Sequence, residues 1–434
     1  MQFKSTRSAE KPVSFKEAVL RCLPKDGGLY VPTSIVDLRQ FFLYMDGDTS
    51  YPELVATVVP PLFQGELNPF SATRVAESAF DFEPQLQRVD EGLSVLHLYN
   101  GPTGVFKDFG IAFLAAVMEE LLKSGGRAMT LTATMGDTGA SVAHAFAGRR
   151  GITSVILYPS GPIRGLDPKT FVPSGGNILS IQIDGNFDDC QRLIREAFDD
   201  RAFTERYSLT SANAINIGRL LPQSFYFLYA FIKIKKELSG DLFFSIPSGN
   251  FGNLIAALYA WKFGLPVNGF VAAMNANDAF GSYLRGKPFT PHAPIMTISH
   301  SMDVGNPANY ERLSAFYNES PAVMRNMVFP EKVSDTQTLE AMERAWKRYG
   351  LMLDPHSAVG FAAAERALQG DMEGGHVVTL ATGHPAKYPD LVKRVTGREP
   401  ETNDPLVALR KESSPVAVIP PRIDALEAAI AGAC

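Results

Sequence analysis

The run Gly101-Pro102-Thr103-Gly104-Val105-Phe106-Lys107-Asp108-Phe109-Gly110 delivers a lysine to the start of a helical pattern between two aromatic side chains. A cation at a helix N-terminus opposes the macrodipole, and apolar neighbours further disfavour its charge, so both effects lower the amine's pKa. A neutral amine is what Schiff-base formation with an aldehyde requires, which makes Lys107 a candidate nucleophile. Taken alone, the same residues also describe an exposed loop lysine. A second loop, Ser248-Gly249-Asn250-Phe251-Gly252-Asn253, lies between an apolar run and a helical pattern. Its glycines permit close backbone approach, and the free N–H groups of the next helical turn suit a phosphate dianion. An ordinary strand-to-helix turn with an Asn cap has the same composition.

Two further segments offer oxyanion chemistry. Thr134-Met135-Gly136-Asp137-Thr138-Gly139-Ala140-Ser141 is another strand-to-helix junction whose backbone can bind a carboxylate, with Asp137 equally suited to a cap. Asn213, Asn216 and Arg219 recur every three residues, which on a helix places two amides and a guanidinium on one face. A solvated helix start would carry the same residues. The run Thr382-Gly383-His384-Pro385-Ala386-Lys387 follows a last apolar run, at the kind of strand end where parallel sheets present ligands. The histidines are scattered, with no pair at zinc-ligand spacing, so no metal site is expected. Neither G-x-S-x-G nor a Walker A run occurs.

These loops need a scaffold, and the pattern around them supplies one. Apolar, β-branched runs at Met129–Ala133, Ser154–Tyr158, Ile178–Ile183, Leu242–Ile246, Phe270–Met274 and Val377–Leu380 alternate with longer amphipathic stretches. That alternation predicts βα units and parallel sheets. Ile111, Leu114, Ala115, Met118, Leu121 and Leu122 place a helix from Lys107 to just before Gly125-Gly126. Phe251, Leu254, Ile255, Leu258 and Trp261 place another that stops at Gly264 and Pro266. Residues 1–91 have short helical stretches such as Phe15–Leu23 amid prolines, and read as a mostly helical N-terminal subdomain. The segment after about Gly397, rich in Pro and Glu, reads as a loosely packed tail.

With 434 residues, the chain is long enough for two or three domains. At 45% hydrophobic and 20% charged it can bury enough apolar surface to fold, which excludes a disordered or fibrous protein. Lys plus Arg number 41 and Asp plus Glu 46, a net charge of −5 that points to neither nucleic acid nor a membrane surface. Cys22, Cys190 and Cys434 have no paired spacing and read as free thiols. The charged stretch Met1–Ser14 lacks a secretory apolar core, and the longest apolar run, Phe225–Ile232, is far short of the ~20 residues that span a bilayer. A cytoplasmic protein with a small-molecule ligand is the expectation.

The motifs together resemble threonine synthases of the longer bacterial and fungal type. The likeness rests on Phe106-Lys107-Asp108, Gly136-Asp137-Thr138-Gly139, Ser248 to Asn253, Asn277-Asp278 and Thr382 to Lys387. It extends to Ser5-Thr6-Arg7, Asp26 to Pro32, Phe187 to Gln191, Ser301 to Pro307 and Leu353-Asp354-Pro355-His356, and so runs from about residue 1 to 395. The resemblance implies an α/β, fold-type II enzyme dependent on pyridoxal phosphate, tryptophan synthase β-like, with two parallel-sheet domains. It implies conversion of O-phospho-L-homoserine and water to L-threonine and phosphate. By the same resemblance Lys107 holds the cofactor and shuttles protons at Cα and Cβ. Ser248, Gly249, Asn250, Phe251, Gly252 and Asn253 form the cofactor's phosphate loop, Thr382 meets its pyridine nitrogen and Asp137 lies near its phenolic oxygen. Thr138, Gly139, Ala140 and Ser141, with Asn213, Asn216 and Arg219, would hold the substrate. The implied organisation is an N-terminal subdomain over 1–91, a smaller α/β domain over 110–212, a larger one from 92–109 plus 213–395, and a tail over 396–434, as a monomer or homodimer.

Three departures from that pattern are expected where the substrate is held. Relatives usually carry serine at the positions of Met135 and Ala214, and the run Tyr158 to Lys169 is altered, with Arg164 or Lys169 able to compensate. Each lost hydroxyl donor would cost about 1–3 kcal/mol in an otherwise unchanged site. The alternative activity is therefore a paralogue, such as a phospho-lyase giving 2-oxobutanoate and ammonia, or a β/γ-replacement enzyme.

Overall fold

Strands that are apolar on both faces must be covered on both faces, and here they build two parallel sheets flanked by helices. The computed structural model describes residues 1–7, 10–134, 136–160, 174–318, 320–402 and 414–433. Met135, Arg164, Lys169 and Cys434 lie outside them. The large sheet has the order β11 (Val328–Lys332), β10 (Gly269–Met274), β9 (Leu242–Pro247), β12 (His376–Ala381), β4 (Leu93–His97), β3 (Gln85–Asp90), and only β3 runs antiparallel to its neighbour. The small sheet, all parallel, has the order β13 (Ala417–Ile419), β7 (Ile178–Ile183), β6 (Ile152–Pro159), β5 (Ala128–Ala133), β8 (Leu209–Thr210). A third pair, β1 (Phe3–Ser5) and β2 (Tyr30–Pro32), is antiparallel.

Each apolar run expected to be a strand is one, within a residue or two at its ends. The topology then explains the site. Strands β9, β12 and β4 are adjacent, so the segments leaving their carboxyl ends, at Ser248, Thr382 and the turn before Lys107, emerge side by side. The Lys107 turn is sewn to the one after β12, because the Phe106 N–H donates to Thr382 O at 3.0 Å and Val105 bridges Gly383. From the small sheet, β5 leads directly into the helix Asp137–Phe146.

The N-terminal segment is helical as expected, with helices Phe15–Arg21, Arg39–Tyr44, Tyr51–Leu62 and Pro69–Ala79. Ser50 and Glu53 form a capping box, and Asn68 followed by Pro69 caps the last of these helices. Tyr51, wholly buried, presents edges to Phe80, Phe109 and Tyr229 at centroid distances of 4.9, 5.3 and 5.4 Å. Phe109 is two residues beyond Lys107, so this aromatic cluster seats the lysine's helix on the N-terminal helices.

The C-terminal segment departs from the expectation of loose packing. Strand β13 adds a parallel edge to β7, pairing Ala417 with Ile181 and Ile419 with Ile183. The helix Ile423–Ala433 then buries Leu426 and Ile430 in the core of the small sheet. Leu426 and Ile430 stand four apart on one helical face, a period masked by the surrounding prolines and glutamates. No helix among the described residues is long and apolar enough to cross a membrane.

Candidate active site

Lys107 is the first residue of the helix Lys107–Leu122, and Phe106 offers no side-chain cap. Its Nζ lies 3.4 Å from Asp137 Oδ2. Asp137 is the first residue of the helix from the small sheet, so this contact joins the two sheets' loops. A second cation, Lys387 from the turn after β12, reaches Asp137 Oδ1 at 2.8 Å and donates to Thr103 O at 3.1 Å. All three charged side chains are largely shielded from solvent. Burial lowers the Lys107 pKa, as do the charges of Arg219 and Lys387, against the opposing pull of Asp137. Burial alone would raise Asp137, but Lys387 and Lys107 outweigh it and hold its carboxyl far below the usual range. The arrangement therefore keeps a fixed anion beside an amine that loses its proton more readily than a free lysine does.

The turn before Lys107 is built around Asp108, 3% exposed, which accepts from Thr103 N–H at 2.8 Å and Thr103 Oγ1 at 2.6 Å. Burial raises the Asp108 pKa despite those bonds. A β-carbon on Gly101 would lie 2.6 Å from Asp108 Oδ2, so that position has room only for glycine. Thr103 Oγ1 also meets Ser141 Oγ at 2.8 Å, and Ser141 donates to Asp137 O at 3.1 Å.

Those bonds revise the expected carboxylate loop. Ser141 ties one loop to the other, and the Gly139 N–H is spent on Gly136 O and Thr134 Oγ1. The Ala140 N–H also goes to Gly136 O. The N–H groups with no intrahelical acceptor are those at the helix start, on Asp137 and Thr138.

The trio of Asn213, Asn216 and Arg219 does not share a helical face, because the helix is only Ile217–Leu220. Asn216 is its N-cap, wholly buried, and its Nδ2 donates to Val19 O, Thr210 Oγ1 and Ser211 O at 3.0, 3.2 and 2.9 Å. Its side chain also accepts from Gly218 N–H, so its amide is engaged within the fold. Asn213 lies in the preceding turn, partly exposed. Arg219 remains: its guanidinium, 5% exposed, donates to Ala212 O at 2.7 Å, while among the described residues Nε has no partner and no ion pair forms. Burial brings its pKa down to about 10. A buried cation without an anion suits an oxyanion ligand.

The loop after β9 is an uncapped helix start. Ser248 is committed internally, its N–H to Ala273 O and its hydroxyl to Ile246 O, both at 2.8 Å. Gly249 packs against Met302, whose Cα would lie 2.8 Å from an added β-carbon. Asn250 accepts the Ala308 N–H. Phe251 sits at φ 58°, a left-handed conformation that is costly for a bulky residue and that turns the chain into the helix Gly252–Lys262. Asn253, 5% exposed, meets Tyr226 through Oδ1 at 2.6 Å, while its Nδ2 is buried without a partner. Ala214 was expected at the substrate, yet it faces this helix start: its β-carbon lies 3.6 Å from the place of one on Gly252.

Thr382, 7% exposed, donates its N–H to Ser357 Oγ at 2.9 Å. Ser357 and His356 are held by Asp354, which accepts from His356 Nδ1 at 2.6 Å, and the Ser301 N–H donates to His356 Nε2 at 3.1 Å. His300, His356 and Tyr388 pack ring to ring at 5.4 to 5.6 Å. This wall and Lys387 were missed as site residues, although Asp354-Pro355-His356 and Lys387 stood in runs that carried the family likeness.

A largely shielded amine, orphaned amide donors at a helix start and a buried guanidinium fit an aldehyde that carries a phosphate. The family model described as "Pyridoxal-phosphate dependent enzyme" matches residues 85–383, and the chain belongs to that class. Models for the N terminus and the C-terminal part of threonine synthase match residues 2–80 and 357–430. Threonine synthase of Serratia marcescens is 38% identical over 403 residues, covering 92% of each chain, and that of Escherichia coli K12 is 36% identical over 401 residues, covering 92% of this chain and 91% of the relative. The crystal structure of E. coli threonine synthase superposes with a TM-score of 0.88 at 33% identity over 100% of both chains. That of pyridoxal-phosphate-bound threonine synthase from Brucella melitensis gives 0.89 at 31%, over 99% of this chain and 98% of the other. Within the class, then, the chain is a member of the threonine synthase family.

Proposed function

We propose that this chain converts O-phospho-L-homoserine and water to L-threonine and phosphate, with Lys107 as its catalytic amine. The observation that carries the assignment is Lys107, largely shielded from solvent and held against Asp137 between the loops of both sheets. Pyridoxal phosphate, when bound, supplies the conjugated electron sink that makes carbon acids at Cα and then Cβ accessible. Lys107 takes and returns the protons at those two carbons; Asp137 fixes its position, while burial and the charges of Arg219 and Lys387 bias it toward the neutral form that can act as a base. The N–H groups at Asp137 and Thr138 and the Thr138 side chain face the substrate carboxylate. Arg219 is matched to an anionic group of the substrate. Thr382 offers a neutral hydroxyl to the pyridine nitrogen, and the helix start at Gly252 with Asn253 holds the cofactor's phosphate.

The division proposed for the chain is an N-terminal subdomain over 1–91, a substrate-side unit over 110–212 and a cofactor-side unit from 92–109 plus 213–395. It acts in the cytoplasm on a small phosphorylated amino acid, as a monomer or homodimer. Incubation of the purified protein with O-phospho-L-homoserine, followed by assays for phosphate, threonine and 2-oxobutanoate, tests the reading. Phosphate with threonine supports it. Phosphate with the oxoacid transfers the assignment to the lyase, which nothing in the comparisons favours, and no phosphate defeats both.

A further inference from the structure

Asn309 immediately precedes the helix Tyr310–Phe316, and its side chain is wholly buried. Its Oδ1 accepts from Arg312 Nη1 at 2.8 Å. A guanidinium can only donate, so this bond fixes which end of the amide is oxygen and which is nitrogen. The nitrogen is thereby turned away from Arg312, and it has no hydrogen-bond partner in the protein. It lies 3.7 Å from the place a β-carbon would take on Gly252, at the first residue of the helix Gly252–Lys262. That helix start has no side-chain cap, and Asn253 Nδ2 is a second buried, unpartnered amide in its first turn.

Arg312 is 1% exposed and forms no ion pair among the described residues. It donates to Tyr30 O at 3.1 Å, Ala214 O at 2.9 Å and Ile215 O at 2.5 Å, as well as to Asn309. Its charge is thus embedded directly behind Asn309 without a counter-ion. The Ala308 N–H bond to Asn250 Oδ1 fastens the same segment to the loop after β9. Helix N–H groups, two amide nitrogens and the field of a buried cation converge where a dianion would be held.

We propose that Asn309 is a ligand of the cofactor's phosphate monoester, and that Arg312 is the positioning residue that points it there. The inference rests on the reading of residues 248–253 as the phosphate loop. Pyridoxal phosphate, and separately pyridoxal, which lacks the phosphate, are titrated into cofactor-free wild type and Asn309→Asp and followed by absorbance. Aspartate keeps the side chain's volume and still accepts from Arg312, but it replaces the donor with an anion. The expected result is a roughly 10- to 100-fold loss of affinity for pyridoxal phosphate, with pyridoxal binding changed less than about twofold. Arg312→Lys keeps the charge but loses the fork, and an intermediate loss of the preference is expected. Asn309→Ser serves the same comparison if the aspartate variant does not fold.

Equal loss for both ligands, or an unchanged preference for the phosphorylated one, overturns the inference. So does an effect confined to the KM for O-phospho-L-homoserine, which would assign Asn309 to the substrate's phosphate. A wild-type chain that binds both ligands equally defeats the phosphate-loop reading and this inference with it. A wild-type preference that survives in Asn309→Asp defeats this inference alone.

Discussion

Replacing Lys387 by methionine removes one of the two cations that flank Asp137 and leaves Lys107 as the other. Both ammoniums contact the same carboxylate, at 3.4 and 2.8 Å. They are therefore roughly 8 Å apart at most, a separation at which two like charges interact by about 2 kcal/mol at an effective dielectric of about 20. Losing that repulsion favours the protonated form of Lys107, and Asp137, now paired only with Lys107, pulls in the same direction. Because the folded pKa of Lys107 is lowered in the wild type, its neutral fraction grows as pH rises through that depressed value. In Lys387→Met the rise moves to higher pH, and at a fixed pH on the acidic limb the neutral fraction falls by roughly 30-fold. The assay is the pH dependence of Lys107 acylation in the cofactor-free chain, mapped by mass spectrometry, beside the pH profile of kcat in the holoenzyme, which reports the amine once bound substrate has released it. Lys387→Arg, which keeps the charge, should stay near wild type in both. A Lys387→Met chain that folds normally and shows either profile unmoved, or shifted to lower pH, would refute the electrostatic argument.

Two other substitutions separate structure from binding. Asn216→Ala removes the cap of the helix Ile217–Leu220 and leaves three buried acceptors short of a donor, so stability should fall by about 2–3 kcal/mol in a denaturant titration. If Asn216 were instead a substrate ligand, KM would rise with stability intact. Ala214→Ser places a hydroxyl against the start of the helix Gly252–Lys262, and a donor there should tighten pyridoxal phosphate binding by roughly 2- to 10-fold in a fluorescence titration. Unchanged cofactor affinity with altered substrate KM would return that position to the substrate side.

What could be read from the sequence was what is encoded locally. Strands β5, β9, β10 and β12 are buried at every position and β6 and β7 at all but one, so each shows as a mainly apolar run of six to eight residues with at most two polar side chains, and the loops at their ends stand out by contrast. Strand β4 escaped because Ser94 and His97 interrupt it, and those polar groups make sense only with their partners, His376 at 2.9 Å and Gln87 at 2.9 Å. Strand β3 is a mostly exposed edge, β11 contains Pro330 and Glu331, and β13 has three residues, so none carries a strong period. In the site, Lys107 was legible because a lysine at a helix start conflicts with local electrostatics. Lys387 and Asn309 were not, because their significance lies in an anion and a helix start contributed by distant segments. Asn216 shows a related limit: an amide that suits an oxyanion suits a helix cap equally well.

The pairing of β4 with β12 sets a timetable for making the protein. Val95 lies opposite Thr379, so the strand that leads to Lys107 gains its parallel neighbour only after nearly the whole chain has been synthesised. At translation rates of about 5–20 residues per second, that is a wait of roughly 15 to 60 seconds. Through that interval β3 can cover one edge of β4, while the other edge presents unpaired N–H and C=O groups to any chain nearby. The turn bearing Lys107 waits as well, since the Phe106 bond to Thr382 needs the same late strand. The enzyme's chemistry is therefore assembled in one of its last folding events, and a nascent chain stalled before residue 376 would carry its key amine on an unfinished sheet.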